Sequence, residues 1–580
     1  MCGILGIWRP SGISEEEVQQ GLDKMSVRGP DACSAALLDD KKIALGHLRL
    51  AIQDLSDAAN QPMTSADNRW TIVYNGEVVN FREIKRSMPS RSWRTDCDTE
   101  VILESISANG IGCLDGMVGM FAAVVYDAHE KVLYLLRDRF GIKPLYYTFL
   151  PNGGFAAASE IPPLLSVRRA RNQADEDVLL TYLETGLYET GEKTFFKDIL
   201  SLPAGHWAKF CLKTGKFNKE CWYDFPEKVN SKRQGARKNA WDTQSEMAFL
   251  IDQAIRDHLV SDVPVGLNVS GGVDSSVLCN IAQKYLPDLH VFTQDYPQPY
   301  SELDWVKQVA GKARLHAVHL SSASIRSKLT DTIRRQAEPF GGVSVIGYDA
   351  LYRKAVSEKV TVLLDGNGVD ECFLGYSKYQ SALNGALTTT TPTSIDGTHP
   401  THPNAISAQL RKRASLIQTP HFSGHFDHPV RDMAAQDLLC SKIPRGLRFN
   451  DRMSMGCSRE LRVPFLDHRL VEFAYNMPIE MLLDGTHTKA CFRNFARQHI
   501  GSVALEQKRS VQSPQREWLA DSWSDIVLSI ISSDRFAARG WVNPETASKA
   551  YENYRKGYKS NSFYIWQWIN LELWAREYLD

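Results

Sequence analysis

Short apolar segments follow one another closely along the first 200 residues. Four of them are rich in β-branched and apolar residues and are predicted as strands: 43–52, 70–74, 120–126 and 131–137. Helical spacing of apolar residues is confined to 15–25 and 99–109. Because the strands succeed one another with few helices between them, we predict an antiparallel sheet domain of α+β type over residues 1–200.

The pattern changes to alternating strands and helices after residue 242. Buried-type strands are predicted at 263–269, 290–292 and 360–364, with helices at 247–257, 277–286 and 303–313. Such alternation is typical of a parallel sheet with helices on its faces. We therefore predict a second, α/β domain over residues 243–580, whose later part, 424–574, is mainly helical.

Two segments stand outside these patterns. Residues 201–242, polar and basic toward their end, are expected to connect the two domains. Residues 383–425 contain a Thr/Pro/His-rich stretch with little to bury, and we expect a mobile insertion there.

Composition limits the class of protein. The 580 residues carry 67 Lys+Arg and 68 Asp+Glu, so the formal net charge of −1 argues against a partner that is a nucleic acid or a membrane surface. The 11 cysteines show no paired spacing, which argues against a disulfide scaffold or structural zinc. With no signal peptide and no long apolar window, we expect a cytoplasmic protein.

Cys2 is a candidate nucleophile, although a cysteine at position 2 means little by itself. If the initiator methionine is removed, the thiol lies beside a free α-amine whose pKa near ~7.7–8.0 suits a general base. Arg49 offers a guanidinium for a carboxylate, and Asn75 with Gly76 offers the donors of an oxyanion hole. The segment 96–100 contains carboxylate side chains, which can bind the ammonium group of an amino acid. Together these groups describe a site for an α-amino acid with a scissile side-chain amide, and glutamine fits.

Longer motifs surround these residues: Met1-Cys2-Gly3-Ile4, Arg28-Gly29-Pro30-Asp31, Tyr74-Asn75-Gly76-Glu77 and Arg137-Asp138-Arg139-Phe140-Gly141-Ile142-Lys143-Pro144. In this order they resemble the class II glutamine amidotransferases of the Ntn type, which implies a four-layer α/β/β/α sandwich. The resemblance implies roles for six residues: the nucleophile Cys2, the oxyanion-hole groups Asn75 and Gly76, the carboxylate-binding Arg49, and the ammonium-binding Glu77 and Asp98. The sequence departs from the family pattern at Val79 and Cys97, where Tyr and Ser are usual.

A second candidate site is Ser270-Gly271-Gly272-Val273-Asp274-Ser275-Ser276, between a predicted strand and a predicted helix. Glycines let backbone N–H groups approach an anion, and the helix N-terminus adds partial positive charge. The serine hydroxyls add donors, and Asp274 can hold Mg²⁺. The Gly-Lys-Ser/Thr ending of a Walker loop is missing, which disfavours an NTPase that cleaves the γ-phosphate. A plain glycine-rich turn would leave the serines and the aspartate unexplained.

This loop resembles the PP-loop of ATP pyrophosphatases. Further motifs, among them 261–266, 460–467 and Lys489, extend the resemblance to the asparagine synthetase family over nearly the whole chain. The implied C-terminal fold is a parallel-sheet PP-loop domain with added helices. The implied ATP-binding residues are Val269, Ser270, Gly272, Asp274, Ser275, Val291, Asp365 and Gly366. The implied Mg²⁺ ligands are Asp274 and Asp370, and Lys489 would stabilise developing negative charge.

One departure bears on the acceptor of the amide nitrogen. The segment Asp365-Gly366-Asn367-Gly368 stands where the family usually has Ser-Gly-Glu-Gly, and Asn367 cannot take up a proton at neutral pH. The change is either neutral or a sign that the acceptor is not aspartate, and we weigh the two about equally.

Three functions therefore remain open. The first is an asparagine synthetase that uses glutamine, ATP and aspartate. The second is an amidotransferase for another carboxylic acid, such as a sugar uronate or a natural-product acid. The third is a glutamine hydrolase whose second domain only binds nucleotide. A homodimer is the oligomeric state that we would test first.

Overall fold

The computed structural model describes residues 1–233, 240–385, 401–418, 420–505, 513–557 and 561–580. We call residues 1–233 the amino-terminal half and residues 240–580 the carboxy-terminal half. The strands of the amino-terminal half are β1 (Gly3–Trp8), β2 (Ala32–Leu38), β3 (Ile43–Arg49), β4 (Met63–Thr64), β5 (Trp70–Val78), β6 (Gly119–Asp127), β7 (Val132–Arg137), β8 (Tyr146–Phe149), β9 (Phe155–Ala158), β10 (Leu200–Ser201), β11 (His206–Cys211) and β12 (Phe217–Cys221). Its helices are α1 (Glu15–Asp23), α2 (Phe81–Ser87), α3 (Asp98–Asn109), α4 (Ile161–Arg168), α5 (Glu176–Thr185) and α6 (Phe225–Arg233).

These strands form two antiparallel, six-stranded sheets. One sheet has the order β10-β8-β9-β1-β3-β2, and the other has the order β12-β11-β7-β6-β5-β4. The sheets face each other through β1, β3, β5 and β6, with α1 and α4 on the outer face of the first sheet and α3 on the second. The predicted four-layer α/β/β/α sandwich is confirmed. The strands β1 and β3 are buried along their whole length, because they lie between two covered faces.

The segment that we predict as a connection contains part of this sandwich. Strands β11 and β12 pair with each other, and β11 also pairs with β7 in the second sheet. The connection without strands is therefore shorter than 201–242: α6 follows at once, and residues 234–239 lie outside the described residues.

The carboxy-terminal half is built on a five-stranded parallel sheet. Its strands are β13 (Val265–Asn268), β14 (His290–Asp295), β15 (Arg314–His319), β16 (Val362–Leu364) and β17 (Glu460–Arg462). Their order is β15-β14-β13-β16-β17, and every pairing is parallel. The predicted parallel-sheet domain with added helices is confirmed. Strands β15 and β17 are not among those that the sequence predicts.

Helices surround this sheet and account for most of the remaining chain. They are α7 (Ala240–His258), α8 (Val273–Tyr285), α9 (Leu303–Ala310), α10 (Ser322–Arg326), α11 (Leu329–Gln336), α12 (Val343–Ser357), α13 (Val369–Cys372), α14 (Ser377–Leu383), α15 (Ala408–Arg413), α16 (Pro429–Gln436), α17 (Ile443–Met455), α18 (His468–Asn476), α19 (Ile479–Leu482), α20 (Ala490–Ile500), α21 (Gln515–Ala520), α22 (Ser524–Ile531), α23 (Asp534–Arg539), α24 (Pro544–Arg555) and α25 (Phe563–Tyr578). In the described parts of the chain, no helix combines the length and the apolar character needed to cross a membrane.

The predicted insertion 383–425 is described only in part, because 386–400 and 419 lie outside the described residues. The part that follows contains α15, which packs against α5 of the amino-terminal half. Leu410 in α15 is fully buried, and Arg413 forms an ion pair of 2.7 Å with Glu176. This part of the segment thus has a fixed place in the fold.

The two halves share a buried boundary. The Arg28 guanidinium is fully buried and contacts Glu160 of its own half at 2.7 Å and Asp451 of the other half at 2.8 Å. Apolar side chains of both halves also pack in one cluster, which joins Leu50, Ile52 and Met120 to residues of β13 and α8. The halves are therefore held together by burial as well as by charge.

Candidate active sites

A pocket in the amino-terminal half brings together most of the residues predicted to bind glutamine. It is lined by Met1, Cys2, Arg49, Leu50, Ile52, Gln53, Ala59, Gln61, Tyr74, Gly76, Glu77, Cys97, Asp98, Thr99 and Glu460. The position of Cys2 is set by the start of β1, while the ends of β3 and β5 and the start of α3 supply the other predicted groups. Adjacent antiparallel strands thus deliver residues that are far apart in the sequence to one place.

Cys2 lies against Asn75. The backbone N–H of Cys2 donates a hydrogen bond of 2.9 Å to Asn75 Oδ1, and the Cys2 carbonyl accepts one of 3.0 Å from Arg28 Nε. Burial raises the pKa of the Cys2 thiol, although the nearby amino-terminal ammonium and Arg49 act in the opposite direction. A thiol of this kind needs a base to become the nucleophilic thiolate.

Asn75 and Gly76 have the properties of an oxyanion hole. Asn75 is fully buried, and among the residues that the structure describes no acceptor hydrogen-bonds to its Nδ2 group. A buried donor without a partner is costly, so it is expected to serve a group that arrives with the substrate. Gly76 is required by close packing, because a Cβ atom there would lie 2.3 Å from the Met120 carbonyl oxygen on β6.

Arg49 is fixed at the end of β3 by the loop that follows. Its Nη1 donates to the Ser56 carbonyl at 2.7 Å and to Asn60 Oδ1 at 2.8 Å, and its Nη2 donates to the Asp54 carbonyl. The guanidinium is buried and lines the pocket. Because its partners there are neutral oxygens, the positive charge remains available to a substrate carboxylate.

Glu77 and Asp98 are buried, and their carboxylates already have partners. Glu77 accepts a hydrogen bond of 3.0 Å from Arg462 and another from Gln53. Asp98 Oδ2 accepts bonds of 2.9 Å from the Tyr74 hydroxyl and from the Val78 backbone N–H.

The acidities of these two carboxyl groups are perturbed in the same direction. Burial raises the pKa of Asp98 to about 6, although hydrogen bonds from Val78 and Tyr74 act in the opposite direction; the negative charge of Glu460 raises it further. Burial raises the pKa of Glu77 well above its ordinary value despite the opposing charge of Arg462. Raised pKa values follow when carboxylates share a buried site, and a bound ammonium would relieve the repulsion.

Glu460 of the carboxy-terminal half also lines this pocket, although the sequence alone assigns it no role. It is 1% exposed, and its Oε2 accepts a hydrogen bond of 2.7 Å from the amino-terminal ammonium of Met1. Its motif is visible in the sequence, but the pairing of residue 460 with residue 1 is a property of the folded chain alone.

The second site lies where β13 ends and α8 begins. Gly272 is the N-cap residue of α8, so Asp274 and Ser275 fall in the first helical turn. Ser275 Oγ donates to the Ser270 carbonyl at 2.9 Å and accepts from the Ser270 N–H at 3.1 Å. These bonds close the loop over a helix N-terminus, an arrangement suited to phosphate groups.

Lys489 joins the two predicted metal ligands. Its Nζ contacts Asp274 Oδ1 at 2.6 Å and Asp370 Oδ1 at 2.9 Å, although the three residues lie on α8, α13 and the start of α20. Lys489 is 3% exposed, and its φ of 56° places it in the left-handed region that side chains rarely adopt. The surrounding structure holds this side chain between the two carboxylates.

The remaining predicted ATP-binding residues divide into two groups. Asp365 and Gly366 follow β16 beside the loop, and a Cβ atom at Gly366 would lie 3.2 Å from the Ser275 backbone nitrogen. The side chains of Val269 and Val291 instead belong to the hydrophobic core beneath the loop, with Val291 in register with Leu267. The other six predicted residues thus lie together at the loop, while contact of Val269 and Val291 with a nucleoside stays a prediction.

Asp365 is a buried carboxyl group at the same edge. Asn268 Nδ2 donates to its Oδ2 at 3.3 Å, and the Asn367 backbone N–H donates to its Oδ1 at 3.1 Å. Burial raises the pKa of Asp365 although these hydrogen bonds act in the opposite direction. In parallel α/β sheets ligands bind at this carboxyl edge of the strands, so Asp365 is placed to contact one.

Comparison with known proteins matches a family domain to each half of the chain. Residues 1–223 match the model of a glutamine amidotransferase domain, and residues 246–576 match that of asparagine synthase. The chain is similar to "Asparagine synthetase [glutamine-hydrolyzing] 1" of Bacillus subtilis, at 26% identity over 99% of this chain and 97% of that protein. It is 30% identical to a putative asparagine synthetase of Methanocaldococcus jannaschii, over 66% of this chain and 77% of that one.

A relative with a different name matches nearly as much of the chain. "Amidase chyE" of Penicillium rubens is 24% identical over 93% of this chain and 90% of its own length. The similarity therefore extends beyond proteins that are named as asparagine synthetases. Because the asparagine synthase model alone covers more than half of the residues, the chain belongs to the asparagine synthase family of glutamine-hydrolysing carbon–nitrogen ligases, with a glutamine amidotransferase domain at its amino-terminal end.

Proposed function

We propose that this enzyme transfers the side-chain nitrogen of glutamine to a carboxylic acid that it first activates with ATP, and that the acid is aspartate. The observation that carries the proposal is the contact of Lys489 with both Asp274 and Asp370 beside the phosphate-type loop. A domain that only binds nucleotide has no need to bury a lysine between two carboxylates at this point. This arrangement argues against the third function considered above, a hydrolase with a degenerate second domain.

The first half-reaction takes place at Cys2. The free α-amine of Cys2, exposed once Met1 is removed, accepts the thiol proton, and the sulfur attacks the glutamine amide carbon. The oxyanion that forms accepts hydrogen bonds from Asn75 Nδ2 and the Gly76 N–H. The carbon–nitrogen bond then breaks, the nitrogen leaves as ammonia with the proton from the amine, and water hydrolyses the thioester to glutamate.

The second half-reaction takes place at the loop 270–276. An oxygen of the acceptor carboxylate attacks the α-phosphorus of ATP, pyrophosphate leaves, and ammonia displaces AMP from the acyl-adenylate to give the amide. Lys489 is placed to stabilise the negative charge that develops in both steps. The Ser270 hydroxyl supplies a donor at the helix N-terminus, where pyrophosphate is expected to be held, and the Ser275 hydroxyl fixes the loop through the Ser270 carbonyl.

Asp274 and Asp370 fit a Mg²⁺ ion. Their carboxylates lie near each other, since both contact Lys489 Nζ, and carboxylate oxygens are the ligands that Mg²⁺ prefers. When bound, Mg²⁺ would neutralise phosphate charge. Lys489 holds the two carboxylates beside each other.

Ammonia has to pass between the sites without contact with bulk water, where it would be protonated. The apolar cluster that contains Leu50, Ile52 and Met120 next to the first site also contains Leu267 and Val269 next to the second. An apolar connection favours neutral ammonia over ammonium. We propose that the path between the sites runs along this cluster.

Asn367 favours a second candidate, a carboxylic acid other than aspartate. The amide of Asn367 cannot act as a base, and the nearby carboxyl that could do so is the buried Asp365. An acceptor pocket with a different base and a different shape would select a different acid. A sugar uronate and a natural-product acid are the classes to test.

A screen of carboxylic acids separates the two candidates. Each acid, aspartate included, is incubated with glutamine and ATP, and pyrophosphate release is measured. Release that requires aspartate supports the first candidate. Release with another acid and none with aspartate contradicts it.

The variant Asn367→Glu tests whether the base alone limits the reaction with aspartate. We expect the rate of amide formation from aspartate to rise by at least about tenfold, because a positioned general base contributes that much or more. Asn384→Glu, at an exposed asparagine of the same half, serves as the control. An unchanged rate would show that the acceptor pocket differs from an aspartate site elsewhere.

A further inference from the structure

Strand β17 belongs to the carboxy-terminal half, but its Glu460 lines the glutamine pocket and its Arg462 contacts Glu77 of that pocket. It is the edge strand of the parallel sheet next to β16, and the Arg462 carbonyl accepts a hydrogen bond of 2.9 Å from the Asp365 N–H. Glu460 and Arg462 are 1% and 0% exposed. Two fully buried charges on a three-residue strand need partners, and they find them across the boundary.

Arg462 fixes Glu77, one of the two carboxylates expected to bind the glutamine ammonium. Its Nη2 donates to Glu77 Oε2 at 3.0 Å, while its Nη1 donates to the carbonyls of His258 and Val260 at 2.8 and 2.6 Å. Gln53 occupies the other oxygen of Glu77. Glu77 is therefore held in place, and both of its oxygens already accept hydrogen bonds.

Glu460 is the pocket carboxylate that contacts an ammonium in this structure. Its Oε2 lies 2.7 Å from the amino-terminal nitrogen of Met1, which itself lines the pocket. Its Oε1 lies 2.5 Å from Arg462 Nε. Burial alone would raise the pKa of Glu460, but the amino-terminal ammonium, Arg462 and Lys143 together lower it to about 2.

The Met1 ammonium stands in for the α-ammonium of an amino-acid substrate. It carries the same charge and donates the same kind of hydrogen bond, and it lies in the pocket that holds Cys2 and Arg49. When Met1 is removed, the Glu460 carboxylate loses this partner and faces the vacated part of the pocket. A buried ionised carboxylate at that place would bind an incoming ammonium strongly.

We propose that Glu460, supplied by the carboxy-terminal half, binds the α-ammonium of glutamine directly, and that Arg462 positions Glu77 beside it. The glutamine site is then completed by strand β17, and glutamine recognition depends on the docking of the two halves. This inference rests on the proposed hydrolysis of glutamine at Cys2.

The test compares glutamine with glutaramate, which has the same side-chain amide and carboxylate but no α-ammonium. For Glu460→Gln we expect the KM for glutamine to rise by about tenfold or more, the scale of a lost hydrogen bond to a charged group, with a smaller change in kcat. The value of kcat/KM for glutaramate is expected to change by less than about twofold, because glutaramate makes no contact that the substitution removes.

Glu472→Gln is the matched control. Glu472 is a buried glutamate of the same half that also bonds to the amino-terminal half, through the Tyr223 hydroxyl at 2.7 Å, but it does not line the pocket. Its KM for glutamine is expected to equal that of the wild type. Ammonia-dependent amide formation, which does not use the glutamine pocket, reports whether each variant is folded.

Two results would overturn the inference while leaving the proposed function intact. An unchanged KM for glutamine in Glu460→Gln would show that Glu460 does not bind the substrate. Equal losses with glutamine and glutaramate would show that Glu460 acts through the Cys2 amine or through the fold. A wild-type enzyme that releases no glutamate from glutamine would instead overturn both.

Discussion

The two sites of this enzyme hold their charges in opposite ways. In the glutamine pocket three buried carboxylates, Glu77, Asp98 and Glu460, lie close enough to perturb one another's pKa values. In the proposed ATP site the carboxylates of Asp274 and Asp370 are both paired with the single cation of Lys489. Under the proposed function, the first site receives a cationic ammonium, and the second offers Lys489 and helix-terminal N–H groups to the phosphates of ATP. We therefore propose that one chain separates the recognition of its nitrogen donor from the chemistry that consumes ATP.

The largest expected effect comes from Cys2→Ala, which removes the nucleophile from one site and leaves the other intact. Glutamine-dependent amide formation is expected to fall by at least about a thousandfold, while ammonia-dependent formation is retained. Product formation with each nitrogen source measures the effect. Cys33→Ala, at an exposed cysteine, is the control. Equal loss of both activities would contradict the separation of the sites.

Lys489→Ala is the reciprocal change. It removes the cation between Asp274 and Asp370, so amide formation and pyrophosphate release are expected to fall by about 10²–10³-fold. Glutamate release from glutamine is expected to continue, which also shows that the variant is folded. Lys312→Ala, at an exposed lysine, serves for comparison. An undiminished amide yield would rule out the assigned role of Lys489.

The smallest expected effect is a change in the KM for glutamine with pH, which involves the glutamine pocket alone. Asp98 has a pKa of about 6 in the empty pocket, and the glutamine ammonium favours its ionised form. The KM for glutamine is therefore expected to rise as the pH falls through about 6, by about tenfold per pH unit when one group must ionise.

Measurements of KM from pH 5 to 8 test this expectation. In Asp98→Asn the group no longer titrates, so the step attributed to Asp98 should disappear from the profile. A wild-type KM that stays constant over this range would show that the pocket carboxylates are already ionised without a ligand.

Much of the fold follows from the sequence because its patterns are local. Strand β6 contains a continuous apolar run, and the first part of β5 is rich in aromatic and β-branched residues. The loop 270–276 lies between a buried strand and a helix, as its residue types predict. The sequence motifs likewise identify most of the residues that lie together in the glutamine pocket. Whether Val269 and Val291 contact a nucleoside stays a prediction, since both side chains lie in the core.

What the sequence does not reveal depends on contacts between distant residues. Strand β17 has three residues, two of them charged, so neither its apolar content nor its period predicts a strand. Its charges can be buried only because Met1 and Glu77 lie opposite them in the other half. Strand β15 contains one arginine and two histidines among its six residues, and its half-exposed position at the sheet edge explains why its apolar signal is weak.

The most direct test of the account follows the nitrogen atom itself. Glutamine labelled with ¹⁵N in its side-chain amide is supplied with ATP and the acceptor acid, in a buffer that contains unlabelled ammonium. The account predicts that the label appears in the amide product in amounts equal to the AMP formed, with little dilution by the unlabelled pool. An amide product without the label, formed together with AMP, would contradict the transfer of the glutamine nitrogen from the site at Cys2 to the ATP site.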